Sequence, residues 1–295
     1  MINSHVVQIS SYINPITKFG KIGKIHSIFT HSINIQIGYH LVNIGCFENY
    51  LSCFGMNIPE NILQSIIHSV GKNEIVKFSN DYLYFYTKDG IKKISLVDSN
   101  IVDLKINAFS QFPKAELKKV LKILERKKLD QRMGLPNNSL FKTFTEEMTT
   151  FKNLNIEQVV TWLLGRGKGL TPSGDDILCG YIFILLLVGK ATNYLSNFIE
   201  QIISNLSLTT DVSKAYLICA TQGYVNSKVY QLYESLKNHD LKNIDRELNS
   251  ILNIGHTSGN DLSYGIELGI LASLNTPESM KGANNEKRRR SRKGF

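Results

Sequence analysis

The chain has 295 residues, 42% of them hydrophobic, and a formal charge of +9. This is enough chain for one large or two ordinary domains with a real core. Residues 281–295 carry +6 of the charge, in a tail with almost no apolar content that we expect to be disordered. A folded surface that follows a phosphate backbone is not indicated, so we expect no nucleic-acid partner unless the tail alone provides one.

The first residues of the chain and its longest apolar run favour a cytoplasmic protein. The first residues, MINSHVVQIS, have neither the basic nor the apolar region of a secretory signal. The longest apolar run, ILCGYIFILLLVG, has 13 residues, whereas a membrane span needs about 20. The run predicts instead a helix that is buried on all sides.

The spacing of histidine and cysteine does not indicate a metal site. His26 and His31 are five residues apart in a strand-rich segment, so they would project to opposite faces. The cysteines form no CxxC pair, which indicates buried free thiols and neither a disulfide framework nor a zinc site. The four are Cys46, Cys53, Cys179 and Cys219.

Residues 1–112 have the pattern of a β-rich domain. Residues 21–45, KIGKIHSIFTHSINIQIGYHLVNIG, are rich in Ile and Val and alternate at the period of a strand. Further on, YLYFY and IKKISL flank Asp89 and Gly90, which predicts a hairpin with these two residues in its turn. Pro59 followed by ENILQSIIHSV predicts one helix.

From Pro113 onward, apolar residues recur at helical spacing, as in PKAELKKVLKILERKK. Strands do not alternate with these segments, which argues against a doubly wound sheet. We therefore predict an α+β fold. A mostly antiparallel β domain at residues 1–112 is joined near residues 108–115 to an α-helical domain at residues 113–280, and residues 281–295 form the tail.

The stretch WLLGRGKGLTPSGDDILCG, Trp162–Gly180, combines a glycine-rich loop with a helix start. Gly165 is placed to end one helix, and a new helix begins near Ser173. A helix N-terminus carries about half a positive charge and unpaired N–H groups, and loop glycines add further amides. With Arg166 and Lys168 nearby, the stretch predicts an anion site.

This loop fits neither of the common nucleotide-binding motifs. Asp175 and Asp176 stand where a Walker loop has Lys and Ser or Thr. A helix precedes the loop, whereas a dinucleotide-binding fingerprint follows a strand.

A second stretch, GHTSGNDLSYG at residues 255–265, repeats the Ser-Gly and Asp elements of the first. Ser258 and Asp261 correspond to Ser173 and Asp176. In both copies a glycine follows the Asp by four residues on the same helix face, where it permits close approach of a backbone or a ligand. The repeat predicts two similar helix starts that face one another across a shared site.

Two interpretations of these polar residues stay open. A capping box, in which the Ser hydroxyl and the Asp carboxylate bond opposite amides of one helix start, contributes about 0.5–2 kcal/mol and needs no ligand. It accounts for one Ser–Asp pair in each copy but not for Asp175, which points about 100° away from Asp176. Paired carboxylates also hold Mg²⁺ beside a phosphate, or accept N–H groups from an amide substrate.

Two further residues are candidates near these motifs. His256 stands just before the second helix start, as an acid or base or as a hydrogen-bonded loop histidine. Ser213 falls in the first turn of a helix for which Thr210 or Asp211 is the expected N-cap, and it is a candidate ligand contact.

With GLTPSGDD followed by GHTSGND, the chain resembles the AllH-like family over most of residues 20–275. The family pattern G-x-G-P-G-L-T-P-S-G-D-D is matched from Gly165 to Asp176 except at Lys168, which replaces a proline and makes the loop less rigid and more positive. The family is associated with oxamate carbamoyltransferase in anaerobic allantoin breakdown, a part of purine catabolism. That enzyme converts oxalurate and phosphate into oxamate and carbamoyl phosphate.

The resemblance implies a subunit of such an enzyme, with a small anionic substrate, phosphate, and FdrA-like and other subunits as partners, and without a membrane. The alternative is a non-catalytic structural or regulatory subunit of an FdrA-like complex. Mg²⁺ is the only cofactor that these residues suggest, and no metal ligand is assigned. We hypothesise that one anionic pocket is lined by the catalytic candidates Asp175, Asp176 and His256 and by the binding candidates Gly167, Gly169, Thr171, Ser173, Gly174, Ser213, Thr257, Ser258 and Asp261.

Overall fold

The protein is described by a computed structural model. The described residues are 6–109, 112–150, 152, 155–188 and 193–275. They divide into two compact units, one formed by the chain up to residue 105 with residues 224–231, the other by residues 106–223 with the chain from residue 232 onward. The basic tail predicted at residues 281–295 lies outside the described residues, and the domain boundaries stay a prediction.

The first unit is built on a sheet rich in Ile and Val. Ile33, Ile35 and Ile37 are buried along one strand, as the alternating pattern predicts. The described strands are β1 (Gln8–Ser10), β2 (Ile22–Phe29), β3 (Ser32–Ile37), β4 (His40–Gly45), β5 (Gly55–Asn57), β6 (Ile75–Phe78), β7 (Tyr82–Thr87), β8 (Gly90–Ser95) and β9 (Asn100–Val102). Their order in the sheet is β8-β7-β6-β2-β3-β4-β5-β1-β9.

Most of the pairings in this sheet are antiparallel, and two are not. Among the described strands, β1 pairs with β9 in parallel and β4 pairs with β5 in parallel. The predicted α+β class is confirmed, with a mixed sheet in the first unit. The pairing of β1 with β9 joins strands that are distant along the chain. That of β4 with β5 joins consecutive strands through residues 46–54, and local sequence patterns do not indicate the parallel direction of either pairing.

The predicted hairpin and helix are present, each with a shift of one residue. Strands β7 and β8 form the hairpin, but Thr87 pairs with Gly90, so the turn consists of Lys88 and Asp89 and the predicted turn Asp89-Gly90 is wrong. The Thr87 hydroxyl donates to the Gly90 carbonyl at 2.8 Å and accepts from the Asp89 amide, which closes the turn one residue earlier. The predicted helix is present as α1 (Glu60–Ile67), but Pro59, expected as its first residue, is its N-cap instead.

The second unit is helical. The apolar run 177–187 lies in a helix whose residues are nearly all buried, as predicted. Residues 224–231, which include the start of the helix Ser227–Lys237, group with the sheet unit. The described helices after α1 are α2 (Lys114–Glu125), α3 (Ser139–Thr150), α4 (Ile156–Leu163), α5 (Ser173–Leu187), α6 (Asn193–Ser204), α7 (Asp211–Thr221), α8 (Ser227–Lys237), α9 (Leu241–Leu252) and α10 (Ser258–Asn275).

The structure also bears on the expectations about membrane-spanning helices and about the cysteines. In the part of the chain that the structure describes, no helix combines the length and the apolar character that a membrane crossing requires. All four cysteines are free thiols, as predicted. Cys53 and Cys219 are buried, but Cys46 and Cys179 are only partly so, and the expectation of burial is wrong for these two.

Candidate functional site

The glycine-rich loop leads from the end of α4 to the start of α5. Gly165, Gly167 and Gly169 all have positive φ, at 70°, 124° and 93°, which only glycine adopts without strain. A Cβ on Gly165 would also lie 2.1 Å from the Leu208 carbonyl oxygen, and one on Gly167 would lie 2.5 Å from the Ser173 amide. Glycine is therefore required for the path of this loop against the start of α5.

The repeated motif places α5 and α10 in direct backbone contact. A Cβ on Gly180 would lie 2.1 Å from the carbonyl oxygen of Leu262, and a Cβ on Gly265 would lie 2.1 Å from that of Ile177. Each glycine thus meets the residue that follows the motif Asp of the other helix. The contact is reciprocal, and it confirms that the two similar helix starts face one another.

The serines and aspartates of the motif interact across this crossing and do not cap their own helices. The N-cap of α5 is Pro172, without a side-chain cap hydrogen bond, and Ser173 is already helical. The predicted capping box at Ser173 is therefore wrong. The Ser173 hydroxyl instead faces Asp261, and the Ser258 hydroxyl faces Asp176.

Helix α10 begins in the same manner. Its first residue is Ser258 itself, so this serine too stands one position later than a capping box requires. The Ser258 hydroxyl lies 3.0 Å from that of Thr171. The two helix starts therefore share one set of polar side chains.

Asp175 is bound on both sides by donors of the protein itself. Its Oδ1 accepts the Gly165 amide at 2.9 Å, and its Oδ2 accepts the hydroxyl of Ser213 at 2.6 Å and that of Thr209. Burial raises the pKa of Asp175, and the three hydrogen bonds oppose that rise. Thr210 caps α7 through the Ser213 amide, as predicted, so Asp175 joins the start of α7 to the loop.

Asp176 and Asp261 each keep one oxygen without a partner. Oδ2 of either residue is buried and receives no hydrogen bond of ordinary length and angle from the described residues, although the hydroxyls of Ser258 and Thr171 face Asp176 and those of Ser173 and Thr257 face Asp261. Burial raises the pKa of Asp176 well above its usual range; the Ser258 hydroxyl opposes the rise, and the neighbouring carboxylates add to it. Burial also raises the pKa of Asp261, opposed first by the Gly134 amide. A buried acceptor without a donor is costly, and either protonation of these carboxyls or a donor from another molecule would reduce that cost.

Gly134 completes the cluster, and the motif gave no indication of it. Its amide donates to Oδ1 of Asp261 at 2.7 Å. A Cβ on Gly134 would lie 2.2 Å from the Ser173 hydroxyl, 3.2 Å from the Thr257 hydroxyl and 3.4 Å from Oδ2 of Asp261. Gly134 itself is exposed, so only a short distance separates the buried carboxylate from solvent on this side.

Several expected site residues are not brought to the carboxylates by any described contact. His256 and Gly169 are exposed, and a Cβ on Gly169 would meet no atom within 4 Å. Gly174 is packed against α4, because a Cβ there would lie 2.0 Å from the Leu163 carbonyl oxygen. Arg166 lies over the Trp162 ring, 4.2 Å from its centroid, and donates to the Trp162 carbonyl.

The amides expected to bind an anion are partly used by the protein. Those of Gly165 and Gly174 donate to Asp175 and to the Arg166 carbonyl. The three aspartates do not belong to any group of three or more His, Cys, Asp or Glu ligands that lie close enough to hold a metal, among the described residues. A separate cavity of about 550 Å³ in the helical unit is lined by Asn155, Ile156, Glu157, Asn197, Glu200 and Gln201.

The structure defines an α+β protein in which the starts of two crossing helices, α5 and α10, enclose buried carboxyl groups. Residues 163–270 match the model of a family described as oxamate carbamoyltransferase subunit AllH. The match confirms the resemblance predicted from the two motifs, over a shorter segment than residues 20–275. It includes both motifs but not Gly134. No solved structure matches the chain.

Proposed function

We propose that the chain is a subunit of an oxamate carbamoyltransferase-like enzyme, and that the crossing of α5 and α10 binds the carbamoyl end of a small anionic substrate. The family match supports the role of a subunit. Oxalurate with phosphate, giving oxamate and carbamoyl phosphate, is the proposed reaction. FdrA-like and other subunits are the proposed partners.

The observation that carries this proposal is the pair of buried, unpartnered oxygens on Asp176 and Asp261. Carboxylates accept N–H groups, and a carbamoyl or ureido group presents several of them. A phosphate placed directly against these carboxylates would be repelled. We therefore propose that the amide nitrogens of the substrate bind at the crossing. The anionic groups of the substrate would bind on the side that carries the glycine-rich loop.

The loop offers the complementary charge. Arg166 and Lys168 are both exposed, and the loop lies against the N-terminus of α5, whose dipole favours an anion. An elongated substrate that is anionic at one end and an amide at the other would match this polarity. Lys168, where the family pattern has proline, adds positive charge to the same loop.

The chemistry needs one proton to move. When a phosphate oxygen attacks the carbamoyl carbon of oxalurate, the bond from that carbon to the inner nitrogen breaks, and this nitrogen takes a proton as oxamate leaves. Hydrogen phosphate brings one proton, so the reaction balances. A carboxyl whose pKa is raised, as burial raises that of Asp176, holds a proton more readily than a free carboxyl, and we propose that Asp176 relays this proton.

The test is to assemble the enzyme from its subunits with Asp176→Asn or Asp261→Asn in this chain. Carbamoyl phosphate formation from oxalurate and phosphate is then measured. We expect Asp176→Asn to lose about 100-fold or more in kcat, the usual effect of removing a positioned proton-transfer group, and Asp261→Asn to raise KM because it removes an acceptor of substrate N–H groups. Asp89→Asn, an exposed aspartate in the β7–β8 turn, is the matched control and should retain the wild-type rate.

The variant Asp175→Asn distinguishes a role in substrate binding from a structural role. Because both Asp175 oxygens are already bound within the protein, this variant should lose stability more than it loses affinity for the substrate. If both Asp176→Asn and Asp261→Asn assembled normally and kept the wild-type rate, the proposed site would be wrong.

The alternative, a non-catalytic structural or regulatory subunit, is favoured by a different observation. Ser173, Asp175 and Asp261 are at most 2% exposed, so much of the motif is closed to solvent. Under this alternative, the motif substitutions would weaken assembly with the partner subunits and leave kcat per assembled enzyme unchanged. Analytical ultracentrifugation beside the activity assay distinguishes the two functions.

A further inference from the structure

We propose that His31, Cys46 and Glu60 bind a Zn²⁺ ion on the sheet unit. One ligand atom from each of the three residues lies within 4.8 Å of those of the other two. Among the described residues this is the only group of three or more such ligands at this spacing. It lies apart from the glycine-rich motif in the chain, and the proposed function does not use it.

The ligand atoms are near the spacing that zinc requires. Cys46 Sγ lies 4.0 Å from His31 Nδ1. With Zn–S about 2.3 Å and Zn–N about 2.0–2.1 Å in a tetrahedral site, these two atoms would be about 3.5 Å apart. His31 and Glu60 are exposed, so their side chains can move by this amount without repacking the core.

The backbone segments that carry the ligands are already held together. The Cys46 amide donates to the His31 carbonyl at 3.3 Å. On α1, the Gln64 side chain donates to the Thr30 carbonyl at 2.7 Å, which holds this helix against the turn between β2 and β3. Because the segments are fixed without a metal, an ion would only have to orient three side chains, and the entropy cost of binding is small.

The donor set favours zinc over the alkaline-earth ions. One thiolate, one imidazole and one carboxylate are the three ligand types that Zn²⁺ takes in proteins, whereas Mg²⁺ and Ca²⁺ prefer oxygen ligands alone. Binding replaces the thiol proton of Cys46, which leaves to the buffer. Three protein ligands leave the fourth position of a tetrahedral ion to water.

Sequence spacing does not reveal this site, because its ligands come from three separate elements. His31 lies in the turn after β2, Cys46 directly follows β4, and Glu60 is the first residue of α1. Only the pairing of β3 with β4 and the position of α1 bring them together. The expectation that the cysteines hold no zinc is thus replaced, for Cys46, by this proposal.

The test is a titration of the full chain, kept reduced and free of metal, with Co²⁺ as a spectroscopic substitute for zinc. We expect a thiolate-to-metal charge-transfer band that saturates at one equivalent and disappears when Zn²⁺ is added. Cys46→Ser should abolish the band. His31→Asn and Glu60→Gln should each weaken binding by about tenfold or more, at least the cost of losing an outer-sphere partner.

Matched controls share residue type but lie outside the group. Cys179→Ser, His68→Asn and Glu48→Gln should leave the band and the dissociation constant within about twofold of wild type. The proposal is overturned if the wild type shows no saturable band, or if the band is unchanged in Cys46→Ser. Should Cys46→Ser fail to fold by circular dichroism, an unchanged dissociation constant in His31→Asn would overturn it equally.

Discussion

At the scale of single residues, the two adjacent aspartates of α5 have different environments. Asp175 has a donor for each oxygen, from the loop and from α7, whereas Asp176 keeps a buried oxygen unpartnered. A sequence shows only that both carboxylates are present. Their difference arises from Thr209, Ser213 and Gly165, which reach Asp175 through tertiary contacts, so the sequence could not assign the two roles.

The raised pKa of Asp176 predicts a pH-dependent effect of Asp176→Asn on stability. A carboxyl whose pKa is raised in the folded state favours folding below its unfolded pKa, and this contribution is lost as the pH rises. The amide variant should therefore match wild type near pH 4. At pH 8 it should be more stable by about 1–3 kcal/mol, the cost of a buried unsatisfied group.

Urea unfolding at both pH values measures this difference, with Asp89→Asn as the exposed control. A variant that is less stable than wild type at pH 8 would show that the Asp176 carboxylate is satisfied in the free protein. Oδ2 of Asp176 would then need no ligand, and the proposed binding site would be wrong.

Glu267 on α10 gives an independent prediction at the same scale. Burial, with the charges of Glu125 and Asp130, raises its pKa to about 7. Its contribution to stability is thus present below about pH 4.5 and is lost as the pH rises through 7. Glu267→Gln should be more stable than wild type by about 2 kcal/mol at pH 8 and equal to it at pH 4.

Thermal unfolding of Glu267→Gln across this pH range provides the measurement. Glu146→Gln, an exposed residue on α3, is the control and should follow the wild-type curve throughout. A constant difference between Glu267→Gln and wild type, independent of pH, would contradict the assignment.

At the scale of elements, the repeated motif allows α5 and α10 to cross with their backbones in contact. Helix positions and the mutual approach of the two helix starts followed from the sequence, because periodicity and glycine spacing are local. The predicted capping boxes are wrong, because Ser173, three residues before Asp176 in α5, faces Asp261 across the crossing instead. A local sequence pattern cannot show whether the Ser173 hydroxyl faces Asp176 of its own helix or Asp261 of the other.

The close crossing of α5 and α10 predicts that replacing either of its central glycines will strongly destabilise the protein. Gly180→Ala or Gly265→Ala would place a Cβ 2.1 Å from a backbone oxygen of the other helix, so the helices must separate. We expect a loss of about 3 kcal/mol or more in the free energy of unfolding, at the upper end of overpacking effects.

Gly71→Ala is the control for this pair. Its added Cβ would meet only the flexible Glu74 side chain, at 3.5 Å, and should change stability by less than about 1 kcal/mol. A loss at Gly180 or Gly265 no larger than that at Gly71 would contradict the close crossing.

At the scale of the whole molecule, the order of a β-rich region followed by helices was readable from the sequence, and several details were not. The parallel pairing of β1 with β9 joins distant segments, and the parallel pairing of β4 with β5 joins consecutive strands that local patterns would have paired as an antiparallel hairpin. Gly134 reaches the site from a loop of no distinctive pattern. Such features depend on tertiary contacts, which one sequence does not encode in any local period.

The proposed function requires the α5–α10 crossing to hold the amide end of a small anionic substrate. A crystal structure of the protein grown with oxalurate or oxamate tests it most directly. We expect a ligand nitrogen at about 2.9 Å from Oδ2 of Asp176 or Asp261, the usual hydrogen-bond distance. A ligand bound instead in the cavity beside Asn155 and Glu200, with both carboxylate oxygens still unpartnered, would contradict it.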